Sequence, residues 1–387
     1  MNKKVLCAFL TAFLAVSAVS CGNSDESSES SDSVTESSSQ AETESSETES
    51  ETSEEETSAP ESEVSSAESE TSATEAEISQ TDNSGGNVSA YGTTADITKY
   101  TTVSEVTPPL WKVTDPATNN ELYIMGTIHV LPNTFTGFPD YINDIYENSD
   151  GVAVEYDITE INNDIRALTQ YQQMYLYDDG TTVKDHLSDA TYQKAKSYFE
   201  GIGAYSEMLD QFSAGFWYNQ LSSIMLLRLE NLSTEGVDAS FVAKANDDGK
   251  EVVNIETLDI QVGAVDGYSD ELVDYIISET LDDIDEIDDY AEDFGELYNL
   301  WAKGDVDPML EEEMDDVDDL PADLQDDYAD YMDVMLYNRN KGMADKASEF
   351  LKEGKNYLFM VGSAHYAGDR GVDDLLEEMG YTVEKIS

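Results

Sequence analysis

The chain has 387 residues, with 19 Lys and Arg against 84 Asp and Glu, so its formal net charge is −65. This balance excludes nucleic-acid binding, because neutralising phosphates takes clustered basic side chains, and it excludes direct docking on acidic lipids for the same reason. The hydrophobic content of 40% still suffices for a sizeable core. The two cysteines, Cys7 and Cys21, lie near the N-terminus, so the rest of the chain has neither a disulfide framework nor a cysteine-ligated zinc site.

Residues 1–21 have the features of a secretory signal. Lys3 and Lys4 form a basic start, and the apolar run 5–19 is shorter than the ~20 residues of a membrane span. The ending Ala-Val-Ser-Cys resembles a bacterial lipobox, whose cysteine is acylated and becomes the new N-terminus. We expect a lipoprotein signal peptide, with Cys21 lipidated and the protein anchored at the extracytoplasmic face of the cell membrane. An ordinary signal peptide that leaves a free thiol is the alternative.

Residues 22–95 are almost entirely Ser, Glu, Thr, Asp and Ala, and no Lys or Arg occurs between Lys4 and Lys99. Such a segment buries too little apolar area to offset the entropy of ordering, and its like charges extend it. We therefore predict a disordered acidic tether that lifts the following domain off the membrane.

Residues 96–387 contain all three His and all three Trp and are numerous enough for one substantial core. Short apolar runs typical of buried strands predict strands at 110–113, 121–125, 151–155, 251–255 and 357–361, with a last strand at 381–386. Apolar spacing predicts helices at 161–177 and 211–229, further helices up to residue 353, and one at 371–379 that Gly380 ends. Strands interrupted by a long helical insertion predict an α+β (mixed α/β) domain, with a central mixed sheet flanked by helices.

The pattern Gly-X-X-His follows a buried strand twice, ending in His129 and His365, and two other strands lead into Glu155 and Glu256. Folds place functional groups at strand ends, since the strand is rigid and the loop after it is open. Two imidazoles with carboxylates suit a divalent metal that keeps an open water position. They equally suit metal-free acid–base catalysis. Two histidines hydrogen-bonded inside a core are the structural alternative.

Two other polar features have simpler interpretations. The third histidine, His186, lies in a polar stretch and is expected at the surface. The segment 281–333 is very rich in acids but has no calcium-loop pattern. Because its apolar residues keep helical spacing, we predict solvated helix faces there, with weak cation binding as the alternative.

The sequence from 110 to 387 resembles the TraB/PrgY/GumN family, which is related to the Tiki proteases of animals. Each matching stretch is short, but together they follow the order of the family. The stretches are 111–113, 123–130, 154–157, 235–238, 255–261, 301–305, 338–340, 361–372 and 380–383. Tyr366 stands where the family often has Leu.

The resemblance implies a mixed sheet with helices whose strand ends form one site, and Tiki members look like metal-dependent proteases. The proposed active centre of the family consists of the paired Gly-X-X-His motifs and a glutamate. It marks His129, Glu155 and His365 here as catalytic residues and as ligands of a divalent metal. Residues predicted to support the site or bind substrate are Arg339, Asn340, Glu256 and Asp238.

Arg339 lies between two asparagines, and its guanidinium is suited to orient a substrate carboxylate through two parallel hydrogen bonds. A surface salt bridge is the alternative for this residue. Bacterial members of the family have been linked to the shutdown of peptide pheromones.

The sequence thus favours a surface-anchored, metal-dependent hydrolase of the peptidase class, acting on a peptide or protein. A non-catalytic protein that binds or sequesters peptides on the same fold is the alternative. In a third interpretation, the acidic tether is the main element of an adhesion or cell-wall protein. Contact with the membrane is expected through the lipid anchor alone.

Overall fold

The computed structural model describes residues 88–89, 91–159, 161, 164–233, 235–317 and 320–387. The predicted signal peptide with Cys21, and most of the predicted tether, lie outside these residues. Within the described part of the chain, no helix combines the length and the apolar character needed to cross a bilayer.

The described chain alternates short strands with helices. The strands are β1 (Val88–Ser89), β2 (Gly92–Thr93), β3 (Ala95–Asp96), β4 (Leu110–Thr114), β5 (Glu121–Thr127), β6 (Leu131–Pro132), β7 (Gly151–Val154), β8 (Leu229–Glu230), β9 (Leu232–Ser233), β10 (Glu251–Asn254), β11 (Tyr357–Gly362) and β12 (Thr382–Lys385). The helices are α1 (Asp140–Asn148), α2 (Ile165–Gln173), α3 (Val183–His186), α4 (Asp189–Gly201), α5 (Ala214–Leu227), α6 (Val237–Asp248), α7 (Leu258–Val265), α8 (Asp270–Asp282), α9 (Ile287–Trp301), α10 (Asp307–Val317), α11 (Gln325–Met332), α12 (Asn338–Glu353) and α13 (Val372–Glu378). A π-helical turn, Asp333–Tyr337, joins α11 to α12.

One mixed sheet of six strands, in the order β10-β7-β11-β5-β4-β12, organises the domain. The first four of these strands are parallel, whereas β4 is antiparallel to β5 and β12 is antiparallel to β4. The predicted α+β class with a central mixed sheet is confirmed. Because β5, β7, β10 and β11 run in the same direction, the polar residues that follow them are delivered to the same edge.

Both faces of the sheet are covered, which explains why its strands are continuous apolar runs. Along β11, Leu358 and Met360 join the core formed with α1, α6 and α9. Their neighbours Tyr357 and Phe359 point the other way and join the core formed with α12 and α13. The alternation follows from the two-residue period of a strand.

The predicted helical insertion forms a third core, built largely from α4, α5, α7, α8, α11 and the π-turn. Helix α5 is its centre, since 13 of its 14 residues are buried. It is buried around its whole circumference and mostly apolar, as expected of a helix enclosed by others. Ser213 begins it, accepting a hydrogen bond from the Phe216 backbone N–H.

Two predicted helices are shorter than expected, and the end of the first and the start of the second are shortened for one shared reason. The helix predicted over 161–177 is α2, and the one predicted over 211–229 is α5. The ends that were expected to be helical pair with each other instead: Leu176 bridges Phe212, and the Ser213 N–H donates to the Tyr175 carbonyl. A long-range backbone pairing thus ends the regular helices here, although Tyr175, Leu176 and Phe212 keep turn bonds to the residue three positions before.

The folded chain also begins earlier than residue 96, where the sequence composition predicted the start of the domain. Strand β3 pairs with β8, and Ala95 is buried. The guanidinium of Arg228, only 1% exposed, donates from Nε to the Thr93 carbonyl. The small residues at 92–95 resemble the tether in composition, but the buried arginine uses Thr93 as an acceptor.

Candidate active site

The carboxyl ends of the four parallel strands converge, as the sequence predicts. His129 follows β5, Glu155 follows β7, and His365 lies in a short helical turn after β11. These three side chains and Arg339 line one cavity of about 60 Å³. Glu256, which follows β10, lies behind the cavity wall.

The Glu155 carboxylate is the centre of the site. It is 5% exposed, and its Oε1 accepts the Gly362 backbone N–H at 2.7 Å. Its Oε2 accepts from Arg339 Nη2 at 2.5 Å and from Gln261 Nε2 at 3.2 Å. Burial alone would raise the pKa of this carboxyl, but Arg339, helped by His365 and His129, lowers the pKa to about 2. Glu155 is therefore ionised at neutral pH.

Arg339 joins two carboxylates that are far apart in the sequence. Its Nη2 lies 2.5 Å from Glu155 Oε2 and 2.8 Å from Glu256 Oε2, and its Nη1 donates to the Met335 carbonyl. Arg339 is only 7% exposed and its ion pairs are buried, so the alternative of a surface salt bridge is wrong. Burial raises the pKa of Glu256 despite its hydrogen bonds from Arg339. When both carboxylates are ionised, the single guanidinium balances only one of their two negative charges.

Asn340 fixes the proton arrangement of His365. The amide Nδ2 of Asn340 donates to the Arg370 carbonyl at 2.8 Å, so its Oδ1 must accept from His365 Nδ1, at 2.5 Å. With Nδ1 protonated, the unprotonated Nε2 faces Glu155 Oε1 at 3.7 Å. Burial lowers the pKa of His365 to about 3, so the ring is neutral at neutral pH.

His129 has a different neighbour on its Nδ1 side. The carboxylate of Asp238 lies there, with Oδ1 3.5 Å from Nδ1, and both side chains are 18% exposed. Gly236 makes this pairing possible, because a Cβ at that position would lie 2.4 Å from the His129 carbonyl carbon. The Val237 N–H also donates to the Ile128 carbonyl. The start of α6 is thereby packed directly on the first Gly-X-X-His loop.

Gly362 lies where the three functional groups meet. A Cβ built on it would be 3.3 Å from Glu155 Oε1, 3.7 Å from His365 Cδ2 and 3.9 Å from His129 Nε2. The missing side chain thus leaves free the space that the two imidazoles and the carboxylate share.

Sequence reasoning assigned these polar groups to one site but missed others. Gln261 on α7 donates to both Glu155 and Glu256; it ends the stretch 255–261 that resembles the family, but no role at the site was predicted for it. Asn340, predicted to bind substrate, is fully buried and holds His365 from behind. His186 lies outside the cavity lining; its ring stacks on Tyr177 at 4.0 Å between centroids.

The predicted metal ligands have suitable chemistry, with two imidazole nitrogens and a carboxylate oxygen. Among the described residues, however, no group of three His, Cys, Asp or Glu side chains is placed to hold one metal ion. Both oxygens of Glu155 are already bonded, and the Arg339 guanidinium opposes a second cation beside it. The arrangement as it stands does not fit a three-ligand metal centre.

Comparison with known proteins points to one family. The sequence profile of the TraB/PrgY/gumN family matches residues 109–385. Among curated proteins, the chain is 23% identical over 320 residues to "Metalloprotease TIKI2" of Danio rerio, covering 71% of this chain and 60% of that protein. It is 24% identical over 307 residues to "Metalloprotease TIKI2" of Xenopus tropicalis, covering 68% and 57%. A "Metalloprotease TIKI homolog" of Amphimedon queenslandica is 23% identical over 331 residues, covering 72% and 61%.

The chain thus spans about 60% of the length of these curated relatives. No solved structure matches it significantly. The matched region begins just before β4 and includes every strand of the central sheet and every residue of the site described above.

Proposed function

Because the chain belongs to the TraB/PrgY/gumN family, we propose that it is a peptide hydrolase whose reaction takes place at the carboxyl edge of the sheet. Distant relatives named as metalloproteases support the reaction class. The observation that carries the proposal is the convergence of His129, His365 and an ionised Glu155 on the space beside Gly362. A purely structural cluster gives no reason to leave that space open.

The two histidines have different tasks in this mechanism. His129 has the Asp238 carboxylate on its Nδ1 side, which orients the ring with Nε2 toward the cavity. Its Nε2 takes a proton from water as the water oxygen attacks the peptide carbonyl carbon, and it returns the proton to the departing amine as the C–N bond breaks. His365, which has an amide behind it, stays neutral and offers the Nε2 lone pair as a hydrogen-bond acceptor to the water.

Glu155 and Arg339 set the electrostatics of the reaction. The negative charge of Glu155 is held by three donors and stabilises positive charge that develops on the neighbouring imidazoles. Arg339 in turn keeps Glu155 ionised although it is buried. A metal-dependent version of the reaction requires at least one predicted ligand to move from its described position.

Hydrolysis of a peptide library by the full chain tests the proposal. We expect cleavage products, and we expect His129→Ala, His365→Ala and Glu155→Gln each to lower kcat at least 100-fold, the lower range for loss of an acid–base group. The combined variants should lose little more, because the residues act as one unit. His186→Ala is the matched control, since it removes the same side chain outside the cavity.

The alternatives give different results in the same assay. Activity that chelators abolish and a divalent ion restores assigns a metal to the site. Peptide binding without any cleavage product contradicts the hydrolase and supports the sequestering protein. Parental cleavage by both histidine variants would falsify the proposed site itself.

We also propose that the protein is anchored by lipid at the extracytoplasmic face of the membrane. The basic start, the short apolar run and the Ala-Val-Ser-Cys21 ending support this location. It makes extracellular or envelope peptides the accessible substrates.

A further inference from the structure

The folded domain is itself strongly acidic, apart from the tether. From residue 96 to residue 387 it has 17 Lys and Arg against 64 Asp and Glu, a formal charge of −47. A surface of one sign attracts ligands of the opposite sign and repels those of the same sign over about 10 Å at moderate salt. Any peptide that reaches the site must first approach this field.

The cavity lining is mostly apolar, with a smaller polar part. Glu155 and the two histidines lie at the strand ends, whereas the walls come from apolar side chains of several helices and loops. Wall residues with large apolar side chains are Ile128, Val130, Leu226, Val265, Phe294, Met309 and Met335. Among the described residues that line the cavity, Arg339 is the one Lys or Arg, and it is bonded to two carboxylates.

Exposed apolar side chains also occur on the elements that line the cavity. Leu227, Ile260 and Val334 are 44%, 44% and 42% exposed, and each is adjacent in the sequence to a residue that lines the cavity. Ile260 also lies one helical turn before Ala264, on the face of α7 that lines the cavity. Val334 lies on the π-turn that packs against the end of α7 near Gly267.

We propose that the site selects cationic peptides and seats one aliphatic or methionine side chain in the apolar part of the cavity. The exposed side chains Leu227, Ile260 and Val334 form an apolar rim that continues the contact, and Lys or Arg residues on either side of the seated residue face the acidic surface. This inference rests on the peptide hydrolase proposed above, and it names the substrate class of that site.

Three synthetic peptides test the selection with the full chain. The first has a central Leu flanked by Lys, the second replaces Leu with Asp, and the third replaces the Lys residues with Glu. Binding is measured by fluorescence anisotropy on the His365→Ala variant, and cleavage is measured on the parent. We expect the first peptide to bind at least tenfold more tightly than either of the others, and its affinity to fall as salt is raised.

Rim variants test where the apolar residue is seated. Ile260→Ser and Val334→Ser should weaken binding of the Lys-flanked Leu peptide several-fold, whereas Ile165→Ser should leave it unchanged. Ile165 is a matched control because it is 74% exposed and does not line the cavity.

The outcomes separate this inference from the proposed hydrolase. Equal binding or equal cleavage of the three peptides, or no binding of any, overturns the selection. Selective binding without cleavage supports the selection and contradicts the hydrolase. Cleavage that ignores charge and the central residue contradicts the selection and leaves the hydrolase intact.

Discussion

Asn340 shows how one buried side chain determines which nitrogen of a histidine carries the proton. Its amide is oriented by the Arg370 carbonyl, and its oxygen accepts from His365 Nδ1. The reactive nitrogen of His365 is therefore chosen by a residue that never touches the cavity. Groups behind a functional histidine commonly control its tautomer and orientation in this way.

Replacing Asn340 by Ala should lower kcat about 10- to 100-fold, as loss of such supporting partners does elsewhere. His365 Nδ1 loses its acceptor, and the ring is free to place the proton on Nε2. KM should change little, because Asn340 does not line the cavity. Steady-state kinetics with the Lys-flanked Leu peptide measure both constants.

Asn120→Ala is the control for the Asn340 variant. Asn120 also donates its amide to a backbone carbonyl, that of Leu351, but it lies away from the site. The Asn120→Ala variant should lose about 1 kcal/mol of unfolding free energy, comparable to the loss in Asn340→Ala, without a change in kcat. Equal kcat losses in the two variants would mean that Asn340 acts through stability alone.

Helix α13 shows a conflict between a helix terminus and burial. Asp373 lies in its first turn, where the helix dipole favours a negative charge. Its Oδ1 is nevertheless buried and accepts no hydrogen bond within the described part of the chain. Burial, together with Asp374 and Asp307, raises the pKa of Asp373 to about 7. Burial is the stronger effect.

Asp373→Asn should therefore stabilise the protein at pH 8 and have almost no effect at pH 4. A raised pKa means that ionisation costs more in the folded than in the unfolded state, so this carboxyl removes stability as the pH rises from about 4 to about 7. The gain at pH 8 should be on the order of 1–2 kcal/mol, since one pKa unit corresponds to about 1.4 kcal/mol and solvent screens part of it.

Urea unfolding at the two pH values measures this difference. Asp369→Asn, an exposed change just before the same helix, is the control and should alter stability at neither pH. A gain that is equal at pH 4 and pH 8 would contradict the argument, because it could not come from ionisation.

At the scale of the whole molecule, the N-terminal segment has two parts with different roles. Arg228 donates to the carbonyl and the hydroxyl of Thr93 and to the Ile284 carbonyl, so it ties residues 92–95 to the helical core. The acidic residues before this point are predicted from composition alone to contribute no core.

Two deletions distinguish these parts. Removing residues 22–87 should leave the melting temperature unchanged at fixed salt, because that stretch supplies no packing partner in our prediction. Extending the deletion to residue 94 removes Thr93 and leaves the buried guanidinium short of acceptors, which costs about 1–3 kcal/mol and should lower the melting temperature by a few degrees. Equal melting temperatures for both deletions would show that Thr93 is dispensable.

The predicted anchor is tested by Cys21→Ser. Without the thiol that would be acylated, the protein should leave the membrane fraction and appear in the medium or the soluble envelope fraction. Fractionation followed by immunoblotting measures the distribution, with Cys7→Ser as the matched control that should stay in the membrane fraction. A Cys21→Ser protein that remains there would rule out the lipid anchor.

The sequence by itself determined the α+β class, the central strands and the polar residues at their ends. Local sequence patterns predict these features: continuous apolar runs indicate buried strands, and Gly-X-X-His or Glu follows them immediately. Parallel strands then bring such residues to one edge without further information. The ends of α2 and α5 were misjudged because a distant backbone pairing outweighs local helical spacing.

Only the tertiary structure decided how the polar residues act on each other. Arg339 joins Glu155 to Glu256 across 184 and 83 residues of chain, and Asn340 reaches His365 across 25. Such bonds depend on side-chain direction at angstrom precision, which no spacing encodes. They assign the charge to Glu155 and the free nitrogen to His365, and they place the Arg339 guanidinium where it opposes a metal cation. The physical reason is that buried charges are compensated by whichever partner the packing brings within reach.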